Sequence, residues 1–279
     1  MPELAEVEFF RRRWEQAGAG EKIRAVHVQD RAQVFRGLDP AKLRRALAGA
    51  AWRGSEAAAK QMLFRFSGEV WIGLHLGLSG ELRAEPAAYR PGKHDHLVLS
   101  TAQHQLVFCD PRRFGRVQFH QGPHAPRWWS RIPPAILSPE FTVAAVAAFL
   151  QRRRRAPIKA VLLMQERFPG VGNWMADEIL WRAAIHPRRP AGSLTPAEVR
   201  RLWQECRRTC RLALNAIAGR GRRLAADLNV AIPRTWLFWH RWQKGGKDPK
   251  TGTPLARATI GGRTTCWSPA RQKLPGKRP

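Results

Sequence analysis

Apolar positions change period roughly half-way along the chain. In the first part they fall in short runs, IRAVHVQD (23–30), QMLFRF (61–66), EVWIGLHLG (69–77), HLVLS (96–100), QLVFCD (105–110) and RVQFH (116–120), with turn-forming residues between them. Runs of this length and spacing predict the strands of an antiparallel sandwich or barrel. One helix precedes them, from Glu6 to about Ala17, with Val7, Phe10 and Trp14 on one face. The proline-rich stretch QGPHAPRWWSRIPPAILSPE (121–140) loses all periodicity and predicts a linker.

Beyond it the apolar residues recur at helical spacing, in TVAAVAAFLQRRRR (142–155), PIKAVLLMQERF (157–168), NWMADEILWRAA (173–184) and TPAEVRRLWQECRRTCRLALNAIA (195–218). Thr195, Pro196 and Glu198 supply the last of these with an N-cap, a first-turn proline and a capping-box acid. After Gly219 the pattern breaks up, and KGGKDPKTGTPLARATIGGRTTCWSPARQ (244–272) predicts a glycine-turned hairpin. The expected architecture is α+β. An N-terminal β-sandwich domain with its helix occupies 1–125, a linker 126–140, a helical domain 141–233, and a hairpin with its tail 234–279. No internal repeat is visible.

At 279 residues and 44% apolar content the chain can bury a core in each of two domains. Its apolar runs are too short to span a bilayer, and its start lacks the basic-then-apolar order of a signal peptide. A cytoplasmic, nucleoid-associated protein is expected. Four cysteines, Cys109, Cys206, Cys210 and Cys266, contain no C-x-x-C pair and suggest no disulfide framework. Cys206 and Cys210 lie one helical turn apart, a spacing that suits buried packing better than an incomplete metal site.

Charge changes the picture most. Forty-nine Lys and Arg stand against 21 acids, for a formal net charge of +28. Arginine dominates, and its planar fork matches phosphate oxygens, so a nucleic-acid partner is favoured. Charge alone leaves open a structural ribosome-type binder or a host whose proteins are generally basic.

Against that background four acidic or glycine-rich motifs carry candidate chemistry. MPELAEVE opens with Pro2 ahead of two acids: removal of the initiator methionine would leave a secondary amine beside Glu3 and Glu6, although the same letters also make an acidic first helical turn. PGVGNW (169–174) joins two helices with glycines that let the backbone approach a phosphate, and Lys159 with the arginines at 152–155 would add cations; plain helix packing uses the same device. HLGLSG (75–80) and DPRRFG (110–115) end strands in tight turns, where Leu78, Arg112 and Phe114 either close the core or project as wedges into a base stack. Composition alone favours the core. KHDH (93–96) suits a polar network better than a metal, because neighbouring strand residues point to opposite faces.

Taken in order, these motifs resemble the formamidopyrimidine-DNA glycosylase/endonuclease VIII (Fpg/Nei) family of base-excision repair enzymes. The resemblance runs from PELAEVE through Lys60 in EAAAKQMLFRF, HLGLSG, KHDH and DPRRFG to IKAVLLMQERFPGVGNWMADEILWRAAIHPRR, and covers residues 2–272. It implies a bifunctional DNA glycosylase and AP lyase, needing no cofactor, that acts on damaged duplex DNA, with abasic or single-stranded DNA as further candidates; a monomer is expected because nothing in the sequence resembles a symmetric association surface. It implies a helix-two-turn-helix in the second domain. Among catalytic residues it implies Pro2 as nucleophile, Glu3 as the acid at the sugar oxygen, Glu6 as a positioning acid and Lys60 at the target phosphate. Among DNA-binding residues it implies Leu78, Arg112 and Phe114 as void fillers, with Asn173 and Arg263 at phosphates, beside Lys159 read above as a phosphate cation.

The family's usual finger holds zinc through four cysteines, but the matching positions here are Asp248, Thr251, Ser268 and Arg271, with Cys266 out of register. No metal is expected. The hairpin of a zincless finger would then rest on packing of Trp236, Phe238, Trp239, Trp242 and Trp267. Ala5 stands where the family usually has a second proline. A non-catalytic binder of damaged or distorted DNA on the same fold is the alternative.

Overall fold

The computed structural model describes residues 2–29, 32–219, 224 and 227–274. It divides into two compact units, Met1–Ile132 with Ala218–Leu228, and Pro133–Ile217 with Asn229–Pro279.

The first unit is built from α1 (Leu4–Gly18), β1 (Ala25–Val28), α2 (Pro40–Leu47), β2 (Trp52–Ala58), β3 (Gln61–Phe66), β4 (Val70–His75), β5 (Glu81–Pro86), β6 (Asp95–Ser100), β7 (His104–Cys109), β8 (Arg116–Gln121) and the single turn α3 (Arg127–Ser130). Two four-stranded antiparallel sheets result, in the orders β1-β6-β7-β5 and β2-β3-β4-β8. The aromatic core follows from the alternation: Phe64 and Phe66 of β3 point inward onto Trp52, and Phe64 also meets Trp14 of α1, at ring-centroid distances of 5.2–5.4 Å. Helix α1 packs against strands of both sheets. Its last residue must be small, since a Cβ on Gly18 would lie 2.8 Å from Leu106 Cδ1. Strand β4 is buried along Val70–Leu74, which explains its unbroken apolar run. Part of its cover comes from Trp128 of α3, whose ring leaves no room for a side chain at Gly73.

The second unit contains α4 (Val143–Arg152), α5 (Ile158–Leu162), α6 (Asn173–Arg182), α7 (Pro196–Ala213), α8 (Leu237–His240) and a hairpin of β9 (Ala256–Ile260) and β10 (Arg263–Trp267). Thr142 caps α4, and Thr195 with Glu198 forms the expected capping box on α7. After Ala213 the chain widens into a π turn over Leu214–Ala218. Helix α5 stops well short of Phe168. The Gln165 side chain takes over there, donating to the carbonyls of Leu163 and Val171 (2.9 Å each) and accepting the Gly170 N–H at 3.0 Å, so that it closes the turn itself. Cys206 and Cys210 are buried on α7. The hairpin turns at Gly261 and Gly262, both with positive φ (58° and 73°), the conformation a two-residue loop demands. Behind it Trp181, Leu237 and Cys266 form a small core with Leu255 packed against it. No helix among the described residues is long and apolar enough to cross a membrane.

Candidate active site and nucleic-acid interface

Pro2 is half-buried and immediately precedes Glu3, the N-cap of α1. Glu3 and Glu6 are buried, and the Glu6 carboxylate accepts the Glu3 backbone N–H at 2.8 Å. Helix start and candidate chemistry are therefore the same object. The positive end of the α1 dipole favours charged carboxylates, and Glu6, by tying down the Glu3 amide, fixes the backbone next to Pro2.

Lys60 sits in the turn between β2 and β3, half-buried, following Ala59 in a left-handed conformation (φ 55°). The pairing of β3 with β4 sets His75 opposite Gln61, the residue after Lys60. His75 was not singled out from sequence. Burial, then the charges of Lys60 and Arg36, push its imidazole below the ordinary histidine range. Its Nδ1 accepts the Gly77 N–H at 3.1 Å, so the neutral ring carries its proton on Nε2. An ammonium and an N–H donor thus lie together at one end of the sheet, a pairing that suits a phosphate.

The next two loops meet in space. Leu78 is half-buried, while Arg112 is exposed and Phe114 is 53% exposed. The Arg112 guanidinium stacks 5.2 Å from the Phe114 ring centroid. Phe114 is not a core residue, which favours the wedge reading of its loop. In KHDH, His94 is exposed; His96 is buried, with Nδ1 2.9 Å from Gln29 Oε1 and Nε2 2.9 Å from the Asp110 carbonyl. The motif is a polar network.

In the second unit Asn173 opens α6, and its Nδ2 donates to the Thr264 carbonyl at 2.9 Å. The helix start is thereby fastened to β10 beside the exposed Arg263. Lys159 is not at this surface. Its ammonium is fully buried, 2.5 Å from Asp177 Oδ1 and 2.7 Å from the Asn173 carbonyl. Asp177 Oδ2 takes Arg241 at 2.7 Å and the Cys266 N–H at 3.0 Å. The expected phosphate contact by Lys159 gives way to an internal clamp, because a cation this deep is stable only beside its carboxylate. The arginines at 152–155 are exposed.

At the finger, Asp248 is buried and accepts the Lys250 N–H at 2.8 Å. Burial alone would raise its carboxyl, yet the Ser268 hydroxyl, that amide, the Trp181 indole and the Arg271 charge hold it below the usual range. Arg271 stacks 4.7 Å from the Trp181 ring centroid, and Thr251 Oγ1 lies 2.7 Å from Thr253 Oγ1. One carboxylate, two hydroxyls and a guanidinium do not suit zinc. Cys266 is no substitute, since burial above all pushes its thiol up to about 11. No group of three or more His, Cys, Asp or Glu able to hold a metal occurs among the described residues. Of the finger aromatics, Trp236 and Phe238 are buried, whereas Trp242 is 55% exposed and packs one ring edge against Phe238, at a centroid distance of 5.5 Å.

Two family models match the chain, the formamidopyrimidine-DNA glycosylase N-terminal domain over residues 1–117 and the formamidopyrimidine-DNA glycosylase H2TH domain over 132–223. A formamidopyrimidine-DNA glycosylase of Laribacter hongkongensis is 37% identical across 98% of this chain and 100% of its own. The chain belongs to the Fpg/Nei family. Among solved structures it is similar to the MutM (Fpg) protein of Thermus thermophilus, at 32% identity, TM-score 0.77 and coverage of 97% and 98% of the two chains. It is also similar to Lactococcus lactis Fpg in complex with DNA containing an oxidised pyrimidine, at 25% identity, TM-score 0.85 and coverage of 98% and 100%. The Fpg/Nei fold accounts for the two sheets with their N-terminal helix and for the helical H2TH unit. The finger of this member keeps the hairpin on a polar and aromatic framework.

Proposed function

We propose that this DNA glycosylase of base-excision repair removes an oxidised base from duplex DNA as a monomer and then nicks the strand, with the Pro2 amine as nucleophile. The observation that carries the reading is the position of Pro2, directly before a helix start whose two acids, Glu3 and Glu6, are buried and bonded through the Glu3 amide. A secondary amine freed by methionine removal attacks C1′ of the damaged nucleotide, and the bond from C1′ to the base breaks. Glu3 protonates the ring oxygen as the sugar opens. The resulting iminium withdraws electrons from C2′, whose proton leaves to a base while the C3′–O bond breaks and the 3′ phosphate departs. No metal or organic cofactor enters these steps.

Reaching C1′ requires the nucleotide to leave the stack. Leu78, Arg112 and Phe114 are the residues proposed to fill the space it vacates, and Lys60 with His75 to hold the target phosphate. Asn173 and Arg263 grip the phosphates from the second unit. The test is a gel assay on duplexes carrying a single oxidised base or abasic site. Strand cleavage at the lesion supports the reading; lesion-selective binding with the strand left intact would make the protein a damage-recognition module without catalysis.

A further inference from the structure

The loops that carry Leu78 and the Arg112–Phe114 pair converge on one buried carboxylate. Asp110 is fully buried at the end of β7. Its Oδ1 accepts the Ser79 hydroxyl at 2.8 Å, from the loop that carries Leu78, and the Arg112 N–H at 3.3 Å. Its Oδ2 accepts the Gly115 N–H at 2.7 Å. The backbone of the same residue is equally engaged: its carbonyl receives the Arg113 N–H at 3.1 Å and His96 Nε2 at 2.9 Å, and its amide donates to the His94 carbonyl at 3.0 Å. We propose that Asp110 is a positioning residue that makes Leu78, Arg112 and Phe114 move as a single wedge.

Three features besides the hydrogen bonds tie the loops together. The loops touch through their backbones, since a Cβ on Gly77 would stand 2.4 Å from the Phe114 carbonyl carbon and 2.6 Å from the Gly115 nitrogen; neither loop can shift alone. Between Arg112 and Phe114 the chain passes through Arg113 with φ 57°, a conformation that costs a non-glycine residue about 1 kcal/mol and persists only where neighbours fix it. The N–H groups of residues 112, 113 and 115 all point at Asp110, which supplies that fixation. Finally, a carboxylate can only accept. An amide in its place would turn its NH2 either toward Gly115 N–H or toward Ser79 and Arg112, setting donor against donor in both orientations. Leu78 on one side and the stacked Arg112–Phe114 pair on the other are thereby held at a fixed separation, which is what filling a gap in a base stack requires.

This inference rests on the wedge role proposed above, and its test separates the two. Single-turnover base excision from a lesion duplex is compared with cleavage of a single-stranded abasic oligonucleotide, where no stack needs filling, for the native protein, Asp110→Asn and Ser79→Ala. Ser79→Ala removes the link between loops without touching the second loop, so it reports even if Asp110→Asn unfolds. Asp110→Asn should slow duplex excision by about 10- to 100-fold and Ser79→Ala by a smaller factor, with single-strand cleavage within about twofold of native for both. Variants that match native on the duplex, or that lose both reactions equally, would overturn the coupling. A native protein that excises no base from the duplex would instead remove the wedge role itself.

Discussion

Asp177 holds Lys159 at 2.5 Å inside the helical unit, with both side chains fully buried and Arg241 on the other carboxylate oxygen. Two cations face one anion, so the members of the clamp are not equivalent. Lys159→Met leaves the Asp177–Arg241 pair intact and should cost about 1–3 kcal/mol, whereas Asp177→Ala strands two buried cations and should cost about 3–5 kcal/mol. Urea unfolding of the two variants gives the order. Equal losses, or a greater one for Lys159→Met, would show that the pair is not organised as found.

Arg263 is exposed, and Asn173 is neutral and bonded to the Thr264 carbonyl. The two should therefore affect DNA binding in different ways. Replacing Arg263 by Gln is expected to reduce the slope of log affinity against log salt by about 1, the loss of one phosphate contact. Asn173→Ala should weaken binding at every salt concentration with the slope unchanged. Titrations of duplex DNA at several salt concentrations resolve the difference.

The Glu178 carboxyl is raised to about 7, by burial above all, with Arg182 opposing. It accepts from Arg182 Nε at 2.8 Å and from the Phe238 N–H at 3.2 Å. Because the folded protein holds this proton more tightly than the unfolded chain, the associated stability is complete below the ordinary glutamate pKa. It is lost as pH rises through about 7. Glu178→Gln cannot lose that proton. Its melting temperature should gain on the native value between about pH 5 and about pH 8, by an amount on the order of 1–3 kcal/mol in stability. A constant difference across that interval would contradict the assignment.

Without zinc the finger depends on its own contacts, and Asp248 is the buried acid at their centre. A strong chelator is expected to leave both the melting temperature and DNA cleavage unchanged. Asp248→Ala, by contrast, should speed amide exchange in β9 and β10, at a cost of about 1–3 kcal/mol. Since the folded state lowers the Asp248 carboxyl, native protection of the hairpin should persist above the ordinary aspartate range and fail as pH falls through the lowered value. Activity lost to the chelator would point to a metal that this donor set does not suit.

The parts of the fold written in local period were legible from sequence, and the parts made by distant partners were not. Pro2, Glu3 and Glu6 are neighbours on one turn, so their association could be read directly. Strand β2, WRGSEAA, has no β-branched residue; pairing with β3 imposes its conformation, and its run gave no strand signal. Lys159 looked like a surface cation because its partners lie 18 residues away at Asp177 and, through that carboxylate, at Arg241. His75 drew no notice for a similar reason: only the strand register brings it beside Lys60. Asp110 belonged to a recognised motif, yet its link to Ser79 exists only in the folded sheet.

The most direct test of the account is reductive trapping. The protein is incubated with abasic duplex DNA and borohydride, and the covalent adduct is digested and mapped by mass spectrometry. Attachment of deoxyribose at the Pro2 nitrogen is the predicted result. An adduct on Lys60 or another lysine, or strand cleavage with no trapped species, would contradict it.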